Sequence, residues 1–302
     1  MTSIPMTEFG NEGKGDSTTH LHTDHSSNSY ISSAGNTNSG AQSPHYRAAP
    51  HQQSSLLGRL TDSHLHNILD DPELLTTSYV VSSKTLFRFR LFGLFWVIFI
   101  VPFQLRRDQE TYLFYFTQLT WLGLGAWFAV AAFQTYRCNR DGNMSKFLRQ
   151  SRFTQWLTWA LYVMPATFHW IVPIVFWGLL SSSLVKDGDG MAWWSNINVH
   201  LFDFVLVFIE LCINRIPLFY TQWPIIVIPG LLFLAYAFVQ HAAYHISNSP
   251  SGWWVYSFLD TSKNGAWVYY VVLPLGFILV FLLVTYVHKL RDRRREKRVV
   301  RA

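Results

Sequence analysis

Three ionisable side chains lie in or beside one apolar stretch of the chain, residues 193–211. They are His200, Asp203 and Glu210, and the residues around them are apolar enough to enter a lipid bilayer. On a helix, Asp203 and Glu210 fall on nearly the same face, and His200 lies about one turn from Asp203. A carboxylate in hydrocarbon costs at least about 2.5 kcal/mol, so this face is expected to look into the protein or a wet cavity. The alternative is that one carboxylate is neutral and only hydrogen-bonds another helix.

Thr117 is the hydroxyl best placed to react with such a histidine. Thr117 and His200 each lie near the beginning of an apolar segment that enters the membrane from the same side, so we expect them at similar depth. An imidazole within reach of a hydroxyl can remove its proton and make it a nucleophile. Thr120, one turn later, is the competing candidate. A threonine in a membrane helix more often bonds a carbonyl of its own helix or a neighbouring helix.

Further polar residues are candidates for the same site. Asn198 or Asp203 could orient the His200 imidazole, and the pattern of residues does not decide between them. His241 and His245, four residues apart, share a helix face on the same side of the membrane. They could line the site, or they could bond lipid headgroups and loop carbonyls at the interface.

An aromatic segment, GWWVYSFL (Gly252–Leu259), follows on the same side. Such segments are typical of the membrane interface. We expect it to anchor the bundle in the interface. The alternative is that it caps a groove of lipid size.

Six apolar segments are available to position these side chains. The chain is 50% hydrophobic and only 14% charged, whereas a soluble domain carries about 25% charged residues. A membrane-spanning helix needs about 20 apolar residues. We therefore predict an all-α polytopic membrane protein with a bundle of six transmembrane helices, and we expect His169, in the third, to be a core histidine with satisfied hydrogen bonds. The segments are 88–105, 112–133, 155–180, 199–213, 223–243 and 267–287.

The two ends of the chain differ from this core. Residues 1–83 are rich in Ser, Asn, His, Gly and Thr and hold few large apolar groups, so we predict a disordered cytosolic tail. Within it, 56–75 has some apolar periodicity and could form a short helix on the membrane surface. Residues 84–289 are the predicted six-helix transmembrane domain, and 290–302 are a basic cytosolic tail.

Basic residues predict the orientation of the bundle. The loop at 137–152 and the C-terminal tail are strongly basic, and with six crossings both fall on the same side as the N-terminal tail. The positive-inside bias makes that side cytosolic. Both termini are therefore expected in the cytosol, with Thr117 and His200 near the opposite face. Arg88 and Arg90 are expected to extend to the interface. The membrane is expected to be that of the endoplasmic reticulum or the plasma membrane.

The composition also argues against several classes of function. The net charge of +6 arises largely from the C-terminal tail, and we interpret it as a signal for topology and lipid headgroups, not for nucleic acid. The two cysteines, Cys138 and Cys212, have no metal-ligand spacing. We expect no metal and no cofactor. The expected partners are membrane lipids and a lipid ester substrate, and the sequence does not indicate a protein partner.

Three separated motifs resemble the androgen-induced-gene family, in its fungal branch. They are TYLFYFTQLTWLGLGAWF (Thr111–Phe128), WSNINVHLFDFVLVFIELCIN (Trp194–Asn214) and QHAAYHISNSPSGWWVYSFLD (Gln240–Asp260). The resemblance covers about 87–290. It implies a six-pass α-helical membrane hydrolase with a threonine nucleophile and a histidine, whose substrates are fatty acid esters of hydroxy fatty acids.

The resemblance also implies roles for particular residues. The family histidine stands ten residues before a glutamate in the fourth span, as His200 stands before Glu210. The family threonine lies early in the second span, which Thr117 in YFTQL matches best, with Thr120 as the alternative. Animal members carry a further histidine where this chain has Ile197. The competing hypothesis is a non-enzymatic lipid-binding or transport bundle whose ionisable face carries protons or headgroups.

Overall fold

The structure, a computed structural model, describes residues 72–248 and 253–299, except for the side chains of Ser183, 244–248 and 295–299. Within these ranges it is all-α, and the only β feature is a single bridge between Ser78 and Asn214. Six helices are long and apolar enough to cross a membrane, as predicted, so the chain is a multi-pass membrane protein. The helices are α1 Ser83–Asp108, α2 Phe116–Asp141, α3 Arg152–Val175, α4 Gly190–Ile213, α5 Pro224–Asn248 and α6 Ala266–Val299.

We name the two ends of the bundle after residues that lie there. The Asp108 end holds the connection 109–115, the beginning of α4 and the loop 253–265. The Asn214 end holds the beginning of α1, the connection 142–151 and the end of α4.

Capping residues determine where several helices begin and end. Ser82, Ser151 and Asp189 each accept a hydrogen bond from the backbone N–H three residues later, which caps α1, α3 and α4. Asp189 explains why α4 begins at Gly190 and not at residue 199, where the apolar segment starts. Gly142 ends α2 with a φ of 71°, a left-handed conformation that glycine adopts readily.

Both α3 and α4 contain a π turn. In α3 the turn is Phe176–Leu180, which continues the helix beyond Val175, and in α4 it is Asn198–Phe202. A π turn adds one residue to a helical turn, so it changes the direction of the side chains around it and is frequent at functional sites.

Two glycines let α1 and α2 approach closely. A Cβ atom at Gly93 would lie 2.7 Å from the ring of Phe128, and one at Gly125 would lie 2.8 Å from Cγ1 of Val97. Small residues at such crossings are common in membrane bundles, because association there depends on close packing. The central core beside this crossing includes the fully buried rings of Trp121 and Phe128.

A buried ion pair joins α1 to α4 towards the Asn214 end. The expectation that Arg90 extends to the interface is wrong, because its side chain is 0% exposed. Its Nε and Nη2 donate to Oε1 of Glu210 at 3.0 and 2.7 Å. Its Nη1 donates to Thr135 Oγ1 at 2.6 Å and to the Leu75 carbonyl at 2.8 Å. These partners offset the cost of removing a guanidinium from water.

The described part of the predicted N-terminal tail, 72–83, packs against the bundle. Leu75 is 3% exposed and Thr76 is 0% exposed. The predicted boundary at residue 83 is therefore wrong for this part, since Leu75 is anchored through its contact with Arg90. Residues 1–71, with most of the surface helix predicted at 56–75, lie outside the described residues.

The predicted basic tail, 290–302, begins inside α6. Arg291 is 9% exposed. It donates to the carbonyl of Leu211 at 2.7 Å, to Asn214 Oδ1 at 2.8 Å and to the carbonyl of Ile216 at 2.9 Å. The helix continues beyond the predicted boundary because these acceptors at the end of α4 hold it in place.

Candidate active site

An apolar cleft opens between α2, α3, α5 and α6 towards the Asp108 end. It encloses about 850 Å³ of empty space, counted with the open space at its mouth. Most of its wall is hydrocarbon, contributed by residues such as Val172, Leu231 and Phe277. Thr117 carries the only aliphatic hydroxyl among the described residues that line it.

Thr117 is the second residue of α2 and is half-buried. The connection before it is a 3-10 helix, Gln109–Phe114, so α2 begins only at Phe116. Thr117 therefore lies in the first turn of α2, where backbone N–H groups lack partners within the helix and the helix dipole favours negative charge.

The phenol of Tyr256, from the loop between α5 and α6, lies against this first turn. Its hydroxyl oxygen accepts the Phe116 N–H at 3.0 Å. Burial raises the pKa of Tyr256 above its ordinary value, and the neighbouring Phe116 and Thr117 only partly oppose this effect. The phenol therefore stays protonated at neutral pH.

Thr120, the competing threonine, has its hydroxyl bonded within α2. Its Oγ1 donates to the carbonyl of Thr117 at 2.9 Å, and the residue is 7% exposed. It lines a second apolar cleft, of about 810 Å³, between α2, α3 and α5. A hydroxyl bonded to its own helix is the usual arrangement for threonine in a membrane helix.

His200 lies in the π turn of α4 and packs on the π turn of α3. Its ring stacks on Phe176 with centroids 3.7 Å apart and planes at 5°. Trp177 Nε1 donates to its backbone carbonyl at 3.2 Å. The ring of Phe176 lines the cleft that holds Thr117, whereas His200 is not among the lining residues. Within the described ranges, Nδ1 of His200 is buried without a hydrogen-bond partner, and no hydrogen bond joins His200 to Thr117.

Asp203 pairs with His169, not with His200. Its Oδ2 lies 2.7 Å from Nδ1 of His169, and the two side chains are 0% and 1% exposed. Nε2 of His169 lies 3.3 Å from the carbonyl of Thr120. The expectation that His169 is a satisfied core histidine is confirmed, because both of its ring nitrogens have neighbours that can bond them.

The other supporting candidates on α4 also have partners of their own. Asn198 Nδ2 donates to the carbonyl of Trp194 at 2.7 Å, one turn earlier in the same helix. Glu210 belongs to the ion pair with Arg90, nearer the opposite end of the bundle. The structure therefore places neither of them on the His200 ring.

His241 packs on the aromatic loop. Its Nδ1 lies 2.8 Å from the carbonyl of Trp253, and its ring stacks on Trp254 with centroids 4.0 Å apart. It does not line the cleft. The side chain of His245 lies outside the described side chains, although its backbone belongs to α5.

The aromatic segment predicted as an interfacial anchor also forms a wall of the cleft. Tyr256, Phe258 and Leu259 line the cleft beside Thr117. The alternative interpretation of this segment, a cap over a groove, requires such a position, and the interfacial anchor remains a prediction. Gly252 lies outside the described residues.

A polar layer lies beside the site at the Asp108 end. Arg107 forms two hydrogen bonds with the carboxylate of Asp108, at 2.6 and 2.9 Å, and donates to Ser195 Oγ at 2.7 Å. Gln118 Nε2 donates to the same carboxylate at 2.7 Å. These bonds connect the C-terminal end of α1 and the beginning of α4 to the first turn of α2, next to Thr117.

Sequence reasoning missed Tyr256 and Phe176 as parts of the site. Tyr256 stands 139 positions after Thr117 in the chain, so no local spacing relates them. The available signal was weak: both tyrosine and threonine lie inside the motifs quoted above, on segments predicted to meet at one side of the membrane.

Comparison of the chain with models of known protein families, with curated proteins and with solved structures finds no match. What the site does is therefore inferred from its residues and their geometry.

Proposed function

We propose that the protein is an intramembrane lipid-ester hydrolase that cleaves fatty acid esters of hydroxy fatty acids, with Thr117 as nucleophile and His200 as base. The observation that carries the proposal is the position of Thr117. Thr117 is half-buried and lines a mostly apolar cleft, at the first turn of a helix and beside the phenol of Tyr256. The resemblance of three motifs to the androgen-induced-gene family supports both the reaction and the substrate class.

The reaction is acyl transfer in two steps. Thr117 Oγ1 attacks the ester carbonyl while His200 takes its proton, and the tetrahedral intermediate then expels the hydroxy fatty acid, which recovers that proton. Water activated by His200 cleaves the acyl-threonine and releases the second fatty acid. An apolar cleft open to the bilayer suits a substrate whose chains partition into lipid.

The proposal includes a rearrangement of Phe176. His200 stacks on one side of this ring, and the ring lines the cleft. When a lipid chain enters and turns the ring aside, the imidazole gains access to Thr117. Catalytic hydrogen bonds commonly tighten only in the complex with substrate, so their absence before binding is compatible with this role.

A second candidate function is non-enzymatic lipid binding or transport. The observation that favours it is that His200 makes no hydrogen bond with Thr117 in the described structure, whereas two apolar clefts are already open. In this case the hydroxyl would have no chemical role.

The two functions predict different effects of removing the proposed nucleophile or the proposed base. We expect Thr117→Ala and His200→Ala each to lower hydrolysis of a branched fatty acid ester by about 10³-fold or more, and their effects not to add, since both disable one step. Thr117→Ser should retain part of the activity. Thr120→Ala is the matched control, the same residue type one turn away, and should remain active.

The measurement is turnover by purified protein in detergent, with mass spectrometry of the acyl adduct on Thr117. An active Thr117→Ala protein, or an adduct on Thr120 alone, would refute this nucleophile. Wild-type protein that is inert towards lipid esters and towards hydrolase-directed electrophiles would favour the lipid-binding function.

A further inference from the structure

Tyr256 is a polar group beside the proposed nucleophile that the reaction above leaves without a role. It comes from the loop that caps the cleft, and its ring is one of the lining surfaces. Its hydroxyl accepts the backbone N–H of Phe116, the residue before Thr117, and Thr117 lines the same cleft. A tetrahedral intermediate on Thr117 would carry its oxyanion two bonds from Oγ1, inside the cleft that Thr117 and Tyr256 both line.

The bond from Phe116 determines how the phenol can act. Because the Phe116 N–H donates to the phenol oxygen, that oxygen already accepts one hydrogen bond. A phenol has a single proton to donate, and this proton is available for an acceptor in the cleft. An N–H that donates to the oxygen also polarises the O–H, which makes it a stronger donor.

The ring is held in place by aromatic neighbours on several sides. Phe258 stacks on it with centroids 5.1 Å apart and planes at 6°, and Tyr115 and Phe233 each lie 6.2 Å away. A donor fixed in this way stabilises a developing charge without reorganising during the reaction.

We propose that the Tyr256 hydroxyl is the oxyanion donor for ester cleavage at Thr117, an inference that rests on the proposed function. As the Thr117 Oγ1–carbon bond forms, the electron pair of the carbonyl π bond moves to the carbonyl oxygen, and the hydroxyl proton goes to His200. Tyr256 donates its O–H to the resulting oxyanion and remains a phenol throughout. When the carbonyl re-forms, the alkoxide of the hydroxy fatty acid leaves and takes the proton from His200. The same donor serves the second tetrahedral intermediate, formed by water.

The alternative is that the Tyr256 hydroxyl only fastens the loop to α2. The two roles differ in the effect of Tyr256→Phe on ligands of different geometry. A long-chain trifluoromethyl ketone adds to a nucleophilic hydroxyl and carries an oxyanion, whereas the ether analogue of the ester fills the cleft without one.

For an oxyanion donor, we expect Tyr256→Phe to lower kcat by about 10²–10³-fold with KM within a few-fold of wild type. Binding of the trifluoromethyl ketone should weaken by a similar factor, and binding of the ether should not change. Equal weakening of both ligands would overturn the proposal in favour of the fastening role, and so would an unchanged kcat.

Tyr162→Phe is the matched control for loss of a buried tyrosine hydroxyl. Its hydroxyl accepts from Asn214 and pairs with His288 at the opposite end of the bundle. This variant should keep the wild-type kcat. If Thr117→Ala remains active, the proposed function fails. If Thr117→Ala is inactive while Tyr256→Phe has full kcat, only the role of Tyr256 fails.

A second variant covers the case in which Tyr256→Phe does not fold. 3-Fluorotyrosine at position 256 keeps the ring and the hydroxyl but lowers the pKa of the phenol. Because burial raises the pKa of Tyr256 above the ordinary value of 10.0, wild-type activity should show no alkaline loss from this group below that pH. In the fluorinated protein, activity should decline at a lower pH than in wild type. The phenol loses its proton at a lower pH there, and a phenolate cannot donate a hydrogen bond. An alkaline limb that does not move in a folded fluorinated protein would contradict the proposal.

Discussion

At the scale of single residues, the ionisable groups of α4 have different surroundings. Asp203 and Glu210 each bind a partner on another helix, His169 and Arg90 respectively. His200 instead lies flat on an aromatic ring, with a buried nitrogen that bonds no described residue. A carboxylate in an apolar interior needs a partner, and so these two are explained as parts of the packing. Of the three ionisable residues, His200 is therefore the candidate for a chemical role.

The Arg90–Glu210 pair should be strongly coupled. Glu210→Ala leaves a buried guanidinium unpaired, and Arg90→Ala leaves a buried carboxylate unpaired, so each should cost about 3–5 kcal/mol in the free energy of unfolding. The double variant Arg90→Ala with Glu210→Ala should lose much less than the sum of the single losses. Chemical or thermal unfolding in detergent measures all four states of the cycle.

Strictly additive losses in that cycle would show that the pair contributes no coupling. The matched control is Arg140→Ala, which removes a guanidinium from an exposed ion pair with Asp141. An exposed pair contributes about 0–1 kcal/mol, so this change should have little effect on the free energy of unfolding.

At the scale of helices, two features set the geometry of the site. The π turns of α3 and α4 bring Phe176 and His200 into a face-to-face stack. Because α2 begins as late as Phe116, Thr117 lies in the first turn of α2 and not in the middle of the helix. Each feature is a local change of backbone conformation over a few residues, and together they determine which side chains come into contact.

The crossing of α1 and α2 supplies a prediction with an internal control. Gly125→Ala places a methyl group 2.8 Å from Val97, so it should cost about 1–3 kcal/mol through overpacking. Gly123→Ala, on the same helix, meets nothing within 4 Å. It should be neutral, or stabilising by up to about 1 kcal/mol through helix propensity.

Unfolding in detergent again gives the measurement. Val97→Ala should relieve the clash, so the combined loss of Val97→Ala and Gly125→Ala should be smaller than the sum of the two. Equal effects of Gly123→Ala and Gly125→Ala would mean that the two helices do not depend on this contact.

At the scale of the whole molecule, the bundle has two unlike ends. The cleft, Thr117 and the aromatic loop lie towards the Asp108 end. Arg291 and Asn214, with Tyr162 and His288, form a connected set of buried hydrogen bonds at the other. Such connected networks make an end rigid. This network fastens α3, α4 and α6 to one another at the Asn214 end, away from the cleft.

The predicted orientation places the Asp108 end on the non-cytosolic face. In a protein with Cys138 and Cys212 replaced by alanine, Gly188→Cys and Asn264→Cys should react with an impermeant thiol reagent in intact cells. Gly142→Cys and Arg294→Cys should react only after permeabilisation, because the basic loops hold that end in the cytosol. The reverse pattern of labelling would place both termini, and the candidate site, on the opposite faces.

The sequence by itself determined the class of the protein and the number of its spans, and it supplied a short list of candidate site residues. Those conclusions depend on composition, on segment length and on residue type, which act locally along the chain. They also included the alternative for 252–259, a cap over a groove.

Only the tertiary structure decided which of those residues meet. Asp203 bonds His169 and not His200, Arg90 is buried with Glu210, and the Phe116 N–H beside Thr117 bonds the Tyr256 hydroxyl. Each of these contacts joins residues distant in the chain, and a helix face that looks inward can meet any of several neighbours. The choice follows from helix rotation, from the π turns and from the glycine crossing, because packing in the whole bundle sets all three.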